Sequence, residues 1–297
     1  MKAKSKIKKS KGDMIFDVIN TCIMILMVIM TLYPFYYVVI ASVSDNTRLQ
    51  AYKGILMLPQ GFNLGAYKLA FEHPLILSGY KNILIVLAIY LPLSILMTVL
   101  CANFMAAKKV MFKKPLVLFM MFTMYFSGGL IPTFLNIREL GMYNSLSALI
   151  IPGCLSLYNA FIVRTAIEGI PDSLYESAYM DGASELQILF KITLPLIKPT
   201  LAVILLYYGV GKWNEWFSAA IYIKDNAKLP IQNILRSILI ENSEILNAKE
   251  YGDTVANSFT ETIKYAAIVI STVPILCIYP MVQKHFTKGV MIGAVKG

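Results

Sequence analysis

Charged residues are scarce in this sequence. They make up 15% of its 297 residues, whereas 57% are hydrophobic, and the mean hydropathy is +0.64. A typical soluble domain is about 25% charged and about 45–50% apolar. The chain therefore lacks the charged surface that a soluble enzyme of this length requires, and we expect a membrane protein.

Residues that commonly build metal, redox and nucleotide sites are also few. The four cysteines lie singly in apolar runs without a C-x-x-C pair, and the two histidines are far apart. The phosphate-binding pattern GxxxxGK[ST] is broken, because Leu206 stands at its first glycine position and Trp213 at its hydroxyl position. We therefore predict that this chain binds no metal or cofactor, and that any uphill transport draws its energy from a partner.

Six apolar runs are each long enough to cross a bilayer as a helix, which takes about 20 residues. They cover roughly residues 18–42, 82–106, 116–135, 145–163, 196–216 and 263–282. Because backbone groups in lipid have no water to bond with, they must be bonded within helices. The sequence thus predicts an all-α membrane protein with six transmembrane helices. Pro152 and Gly153 interrupt the fourth run.

Basic residues indicate how these helices are oriented. Lysines precede the first run and fill the turn between the second and third: Lys2, Lys4, Lys6, Lys8, Lys9, Lys11, Lys108, Lys109, Lys113 and Lys114. Short loops rich in lysine and arginine stay in the cytoplasm. We therefore expect cytoplasmic termini, with a basic tail over 1–13, a membrane domain over 14–284 and a C-terminal tail over 285–297. The basic runs lack the interleaved aromatic residues of a nucleic-acid-binding surface, so we expect no nucleic acid partner.

A polar stretch, called the 170–195 segment below, interrupts the apolar pattern between the fourth and fifth runs. Pro171 and Asp172 are typical of a helix start, and Gly182 is typical of a helix end. Ser184, with Gln187 three residues later, predicts a capping box that opens a second helix. We expect a helix–turn–helix at the cytoplasmic face.

Apolar residues recur with helical spacing along the second of these helices. Leu186, Leu189 and Phe190 begin a stripe that Thr193 and Leu194 continue. A helix resting on lipid headgroups is one interpretation. Because the 170–195 segment is acidic and an anionic leaflet repels acidic residues, docking against another protein is the better interpretation.

A second group of candidate residues lies mostly around the end of the fifth run. Aromatic faces beside amide and carboxylate groups are suited to sugars. The candidates for a substrate path are Asn159, Tyr207, Tyr208, Trp213, Asn214 and Glu215. An interfacial aromatic belt explains the tryptophans equally well, and a helix–helix hydrogen bond explains Asn159. The middle of the runs contains no carboxylates, which argues against an ion-coupled carrier.

The 170–195 segment resembles the EAA loop of bacterial ABC-importer permeases, in which EAA is followed by a glycine and later by an apolar residue and proline. The matching residues are Glu176, Ala178, Gly182, Leu194 and Pro195. Ser177 replaces the central alanine with another small residue. Further runs are similar to the maltose-type, LplC-like carbohydrate branch of that family: 128–132, 213–217, 230–236 and 288–297.

The resemblance implies a MetI-like fold in the bacterial cell membrane and a role in oligosaccharide uptake. It also implies a second, similar permease, two ATP-binding subunits that hold ATP and Mg, and an extracellular sugar-binding lipoprotein. The 170–195 segment would contact an ATP-binding subunit, with Glu176 meeting a basic residue there, and the tail 285–297 would reach between the two ATP-binding subunits. The coupling residues expected from the resemblance are Glu176, Ser177, Ala178, Asp181, Gly182, Ala183, Leu186, Leu189, Phe190 and Pro195.

Two other function classes are alternatives. An integral-membrane enzyme acting on lipid-linked sugar needs converging carboxylates or a metal cluster near a span end, which the sequence does not offer. A membrane receptor or scaffold has no need of the EAA spacing. The polar stretch 218–262 is expected to lie outside the cell, where it either contacts the sugar-capturing protein or forms a solvated loop.

Overall fold

The protein is helical in the part that the computed structural model describes, which comprises residues 10–72, 74–108, 110–247 and 262–277. Its helices are α1 Lys11–Ser42, α2 Asn46–Ala51, α3 Gly65–Glu72, α4 Ile76–Ala106, α5 Lys113–Tyr125, α6 Leu130–Glu139, α7 Ser147–Ile150, α8 Leu157–Glu168, α9 Asp172–Met180, α10 Glu185–Ile188, α11 Leu194–Leu196, α12 Lys198–Asn214, α13 Phe217–Tyr222, α14 Ile231–Asn247 and α15 Thr262–Cys277. A single isolated β-bridge joins Ser44 and Phe62 within these ranges. The expected all-α architecture is confirmed.

The chain divides into two compact units. One contains residues 1–70 and 239–270, and the other contains residues 71–238 and 271–297. The second unit holds both the 170–195 segment and the end of the fifth apolar run, so it carries both groups of candidate residues.

In the first unit, α1 is a long apolar helix. Ser10 and Asp13 form a capping box at its start, and the helix then continues for 32 residues with an apolar window of mean hydropathy 2.3. A helix of this length spans about 48 Å, which exceeds the roughly 30 Å of a hydrocarbon core. Most of its large apolar side chains are exposed, as expected for a helix that faces lipid.

The core of the second unit lies where α4 packs along α8 and α12. Val86, Val163 and Ile204, one from each of these helices, are completely buried. The buried hydroxyl groups of Thr98 and Tyr208 form a hydrogen bond of 2.7 Å between α4 and α12. This packing fixes the position of α12, whose two ends adjoin the two candidate sites.

Two of the predicted spans are not continuous helices, contrary to the sequence prediction. Residues 116–135 are divided between α5 and α6, which meet at 111° at Gly129, a glycine with φ of +92°. Residues 145–163 are divided between α7 and α8, and the gap contains the interruption seen in the sequence. By length and composition, two described helices can cross a membrane, or up to four if each bent pair forms one span.

The polar stretch 218–262 contains buried helix in its described part, so the solvated-loop alternative is wrong for residues 231–238. Ile231, Ile234 and Leu235 of α14 are almost completely buried, because their spacing places them on one helix face. The expectations for residues 1–9, 248–261 and 278–297, which include the C-terminal tail, lie outside the described residues.

Candidate functional site

The turn in the 170–195 segment is a Schellman motif centred on Gly182. The Gly182 N–H donates to the Tyr179 carbonyl and the Ala183 N–H donates to the Ala178 carbonyl, both at 3.0 Å. Gly182 has φ of +73°, which side chains with a Cβ disfavour. The predicted helix end is therefore confirmed, and it depends on glycine.

The second helix of the segment begins as predicted but continues differently. Ser184 and Gln187 form the expected capping box at the start of α10. The chain then enters a π-helical turn over Leu189–Thr193 before α11. The wider turn rotates the following side chains, so the predicted single apolar stripe is wrong: Leu189 and Thr193 are buried, whereas Leu186 is exposed.

The exposed side chains of the segment include a carboxylate and several large apolar groups. Glu176 is exposed on α9. Met180, Leu186 and Phe190 are 87%, 64% and 60% exposed, respectively. Large apolar side chains grouped on a polar surface are typical of interaction sites.

The turn between α4 and α5 contacts the start of α9. The Lys108 Nζ lies 2.6 Å from the Asp172 Oδ2, and this hydrogen bond raises the pKa of Lys108 above its ordinary value. The Lys108 ammonium therefore keeps its charge through the pH range in which a free lysine loses it, and on the alkaline side the ion pair is lost only above that range. Both side chains are exposed, so the pair adds little stability, but it places the lysine-rich turn beside the 170–195 segment.

A second polar contact joins the two helices of the segment. The Tyr179 hydroxyl donates to the Glu185 Oε1 at 2.9 Å, and this hydrogen bond to the carboxylate raises the pKa of Tyr179. Since the raised pKa lies above the ordinary value of 10.0, the bond is fully present at neutral pH. It holds α9 against α10 across the Gly182 turn.

Three side chains from α4 and α12 form hydrogen bonds with backbone groups at the break between α7 and α8. The Tyr90 hydroxyl donates a hydrogen bond of 2.8 Å to the Gly153 carbonyl, and the Lys212 ammonium donates one of 2.8 Å to the Leu149 carbonyl. The Tyr208 hydroxyl accepts a hydrogen bond of 2.9 Å from the Ser156 N–H. Backbone groups freed within a membrane need such partners. The sequence shows the interruption at Pro152 but not its three partners, since they come from distant positions.

Lys212 is only 8% exposed and is held by several groups at once. Its Nζ lies 2.5 Å from the Glu215 Oε2 and 4.5 Å from the centre of the Tyr90 ring. The second carboxylate oxygen of Glu215 accepts a hydrogen bond from Ser218. Lys212 and Glu215 therefore pair with each other within the chain, at the end of α12.

The six candidate residues for a substrate path differ in exposure. Asn159, Tyr208 and Trp213 are buried, and the Trp213 indole N–H donates to the Ser271 carbonyl at 3.0 Å. Tyr207 and Asn214 are exposed, whereas Glu215 is partly buried. The path candidates therefore do not form one exposed cluster in this conformation.

Trp216, just beyond α12, is held by two residues of α14. The Arg236 guanidinium carbon lies 3.6 Å from the centre of the Trp216 ring. The Asn233 Nδ2 donates to the Trp216 carbonyl at 2.8 Å. Both stretches were noted in the sequence, but nothing in their spacing indicated that they meet.

A family model described as the binding-protein-dependent transport system inner membrane component matches residues 8–292. The chain belongs to this family of ABC-importer permeases.

The permease is similar to carbohydrate permeases of Bacillus subtilis (strain 168). It is 37% identical to the polygalacturonan/rhamnogalacturonan transport system permease protein YtcP, with 95% of this chain and 99% of the relative covered. It is also 37% identical to Protein LplC, with 97% of each chain covered. These relatives identify the permease as a subunit of an ABC importer for sugars.

A solved structure gives the same result for the fold. The permease superposes with a TM-score of 0.84 on a chain of a bacterial ABC transporter involved in the import of the acidic polysaccharide alginate, at 30% identity, with 95% of the permease and 100% of that chain covered. The MetI-like fold is therefore confirmed. The family is one of transport subunits and not of enzymes, and nothing supports an enzyme acting on lipid-linked sugar.

Proposed function

We propose that the permease is one of two membrane subunits of a bacterial importer driven by two ATP-binding subunits. An extracellular sugar-binding lipoprotein delivers the oligosaccharide to the pair. ATP and Mg bind to the ATP-binding subunits, and this chain binds no cofactor of its own. The broken phosphate-loop pattern at Leu206 and Trp213 supports this division of labour.

The proposed topology has six membrane spans with both termini in the cytoplasm. In it, α1 and α4 are single helices, and the remaining spans are the pair α5–α6, the pair α7–α8, α12 and the helix α15. The contact of Lys108 with Asp172 supports a common side for the lysine-rich turn and the 170–195 segment. The positive-inside rule makes that side the cytoplasm.

The 170–195 segment is proposed to dock in a cleft of one ATP-binding subunit. The observation that carries this proposal is the exposure of Met180, Leu186 and Phe190 beside Glu176 on an ordered pair of helices. Other groups of the segment take distinct roles. Ser177, Asp181, Ala183 and Pro195 complete the docking surface, whereas Ala178, Gly182 and Leu189 hold its shape.

Movement of the docked segment would be transmitted directly to α12. The π turn runs into α11, and only Ile197 separates α11 from Lys198, the first residue of α12, where the chain bends by 80°. A ligand shifts a conformational equilibrium only through contacts that differ between the two states. A single charge-assisted hydrogen bond contributes about 1.5–3 kcal/mol, so Glu176 must share the coupling with the apolar side chains.

The proposed cargo is an oligosaccharide rich in uronic acid. The printed names of two similar proteins, one for polygalacturonan and one for the acidic polysaccharide alginate, support this substrate class. In the proposed path, Tyr207 and Asn214 contact the sugar. The wall behind them consists of Asn159, Tyr208, Trp213 and Glu215.

Reconstitution tests the proposed function. The permease, its partner permease, the two ATP-binding subunits and the binding lipoprotein are incorporated in proteoliposomes with radiolabelled trigalacturonate outside and ATP inside. We expect uptake that requires ATP and the lipoprotein. Uptake that is unchanged without ATP, or absent from the complete system, would contradict the proposal.

A further inference from the structure

Among the described residues, the contact that holds the Arg236 guanidinium is with an aromatic ring and not with an acidic side chain. Its guanidinium lies 3.6 Å from the centre of the Trp216 ring. Asn233, three residues earlier on the same face of α14, fixes the Trp216 carbonyl at 2.8 Å. The two contacts orient both the ring and the cation that covers it.

The charge of Arg236 is not neutralised within the described residues. Arg164 offers a useful comparison, because it also lies near an aromatic ring, Phe161 at 6.0 Å. Arg164, however, forms an ion pair of 2.8 Å with Glu168. Arg236 is exposed and forms no ion pair with any residue that the structure describes, so its N–H groups are open to an anion.

The surroundings of Arg236 have the chemistry of a sugar subsite. Phe217 packs edge-on against Trp216 with ring centres 5.5 Å apart and is half exposed, so it offers a flat apolar surface. The exposed amide of Asn214 lies two residues before Trp216 in the chain. A planar guanidinium matches a carboxylate with two parallel hydrogen bonds.

We infer that Arg236, backed by Trp216, forms a subsite that binds the carboxylate of a uronic acid residue in the transported oligosaccharide. The inference rests on the proposed function. The subsite lies beyond the last residue of α12, whereas the 170–195 segment adjoins the first residue of the same helix. Those ends are about 25 Å apart along a helix of 17 residues, so the subsite lies at the face opposite the segment.

Equilibrium binding to the assembled importer, trapped with ATP and vanadate in the absence of the lipoprotein, tests the subsite. The probe is tritiated trigalacturonate, and the competitor is its trimethyl ester, which keeps the sugar chain but removes the charges. Arg236→Gln removes the guanidinium, and Arg236→Lys keeps a charge without the planar fork. Lys224→Gln is the matched control, because it removes another exposed cation, 12 positions earlier in the chain, for which no aromatic contact is seen among the described residues.

We expect the wild-type importer to bind trigalacturonate about tenfold more tightly than the ester, the factor that one charge-assisted hydrogen bond contributes. Arg236→Gln removes this preference, Arg236→Lys retains part of it and Lys224→Gln leaves it intact. Equal binding of acid and ester by the wild type, or an unchanged preference in Arg236→Gln, overturns the subsite. If ATP-dependent uptake is present in that case, the proposed function stands and only the subsite fails.

Discussion

Lys212 and Glu215, three residues apart where α12 ends, form an ion pair of 2.5 Å with the lysine almost completely buried. The same ammonium group bonds the Leu149 carbonyl at the C-terminal part of α7. One side chain therefore links α12 to the broken span α7–α8. A buried charge that loses its partner is costly, so this pair is the natural first target for mutation.

Replacing Lys212 with methionine is expected to destabilise the permease by about 1–3 kcal/mol, because the buried Leu149 carbonyl is left without its partner and Glu215, whose side chain is 31% exposed, loses its counter-charge. The midpoint of thermal unfolding of the purified importer measures the effect. Lys198→Met, at the exposed start of α12, is the control. The double change Lys212→Met with Glu215→Met should recover most of the loss, and an unchanged midpoint in Lys212→Met would show that the pair is unimportant.

Adjacent tyrosines of α12 should respond differently to the loss of a hydroxyl. Tyr208→Phe removes the partner of the Ser156 N–H and of Thr98, with an expected cost of about 1–3 kcal/mol. Tyr207→Phe, at an exposed position, should cost little. The comparison uses the same unfolding midpoint, and equal midpoints for the two variants would refute the role of Tyr208 in the break.

Gly182→Pro is expected to abolish uptake while the chain still inserts in the membrane. Proline requires φ near −65° and has no N–H to donate to Tyr179, so the turn between α9 and α10 cannot form. Gly141→Pro is the matched control, since Gly141 also has positive φ, at +70°, and donates to Arg138 away from the 170–195 segment. Normal uptake by Gly182→Pro would refute the coupling role of this turn.

Substitutions at neighbouring apolar residues of the 170–195 segment should distinguish a loss of docking from a loss of stability. The double change Leu186→Ala with Phe190→Ala should leave the unfolding midpoint unchanged, because both side chains are exposed, but it should uncouple ATP hydrolysis from uptake. Leu189→Ala, at a buried position, is expected to cost about 2–5 kcal/mol. Both ATPase activity and uptake are measured in proteoliposomes. Full coupling in the double variant would contradict the proposed docking surface.

Reversing the charge of Glu176 should weaken docking without affecting the fold. Glu176→Lys places a cation where the proposed partner presents one, and like charges oppose association. We expect strong loss of uptake with normal amounts of permease in the membrane. Glu139→Lys reverses another exposed carboxylate, at the end of α6, and should retain uptake. A similar loss in both variants would indicate a general effect of charge.

Local sequence signals predicted the 170–195 segment well as far as Gln187. Pro171, Ser184 and Gly182 act through their own backbone and their nearest neighbours, so their effect is readable from the chain alone. The stripe beyond them was mispredicted because a π turn changes the number of residues per turn. That turn cannot be inferred from apolar spacing, which assumes a regular α-helix.

The substrate-path candidates show the opposite case. Residue type alone suggested Trp213 and Tyr208 as sugar contacts, yet tertiary packing buries both side chains and gives their polar atoms protein partners. Arg236 was not selected, because its contact with Trp216 joins stretches 20 positions apart in the printed sequence. No periodicity in a single chain encodes such a contact.

The sequence by itself determined that this chain is a helical membrane protein with an acidic helix pair between two apolar runs, because hydropathy and capping residues act over a few neighbouring positions. Only the tertiary structure decided where the spans break and which side chains form hydrogen bonds with the backbone groups at a break. The bonds of Tyr90, Tyr208 and Lys212 to the break between α7 and α8 exist because three distant helices pack together, and burial leaves those backbone groups no water to bond with.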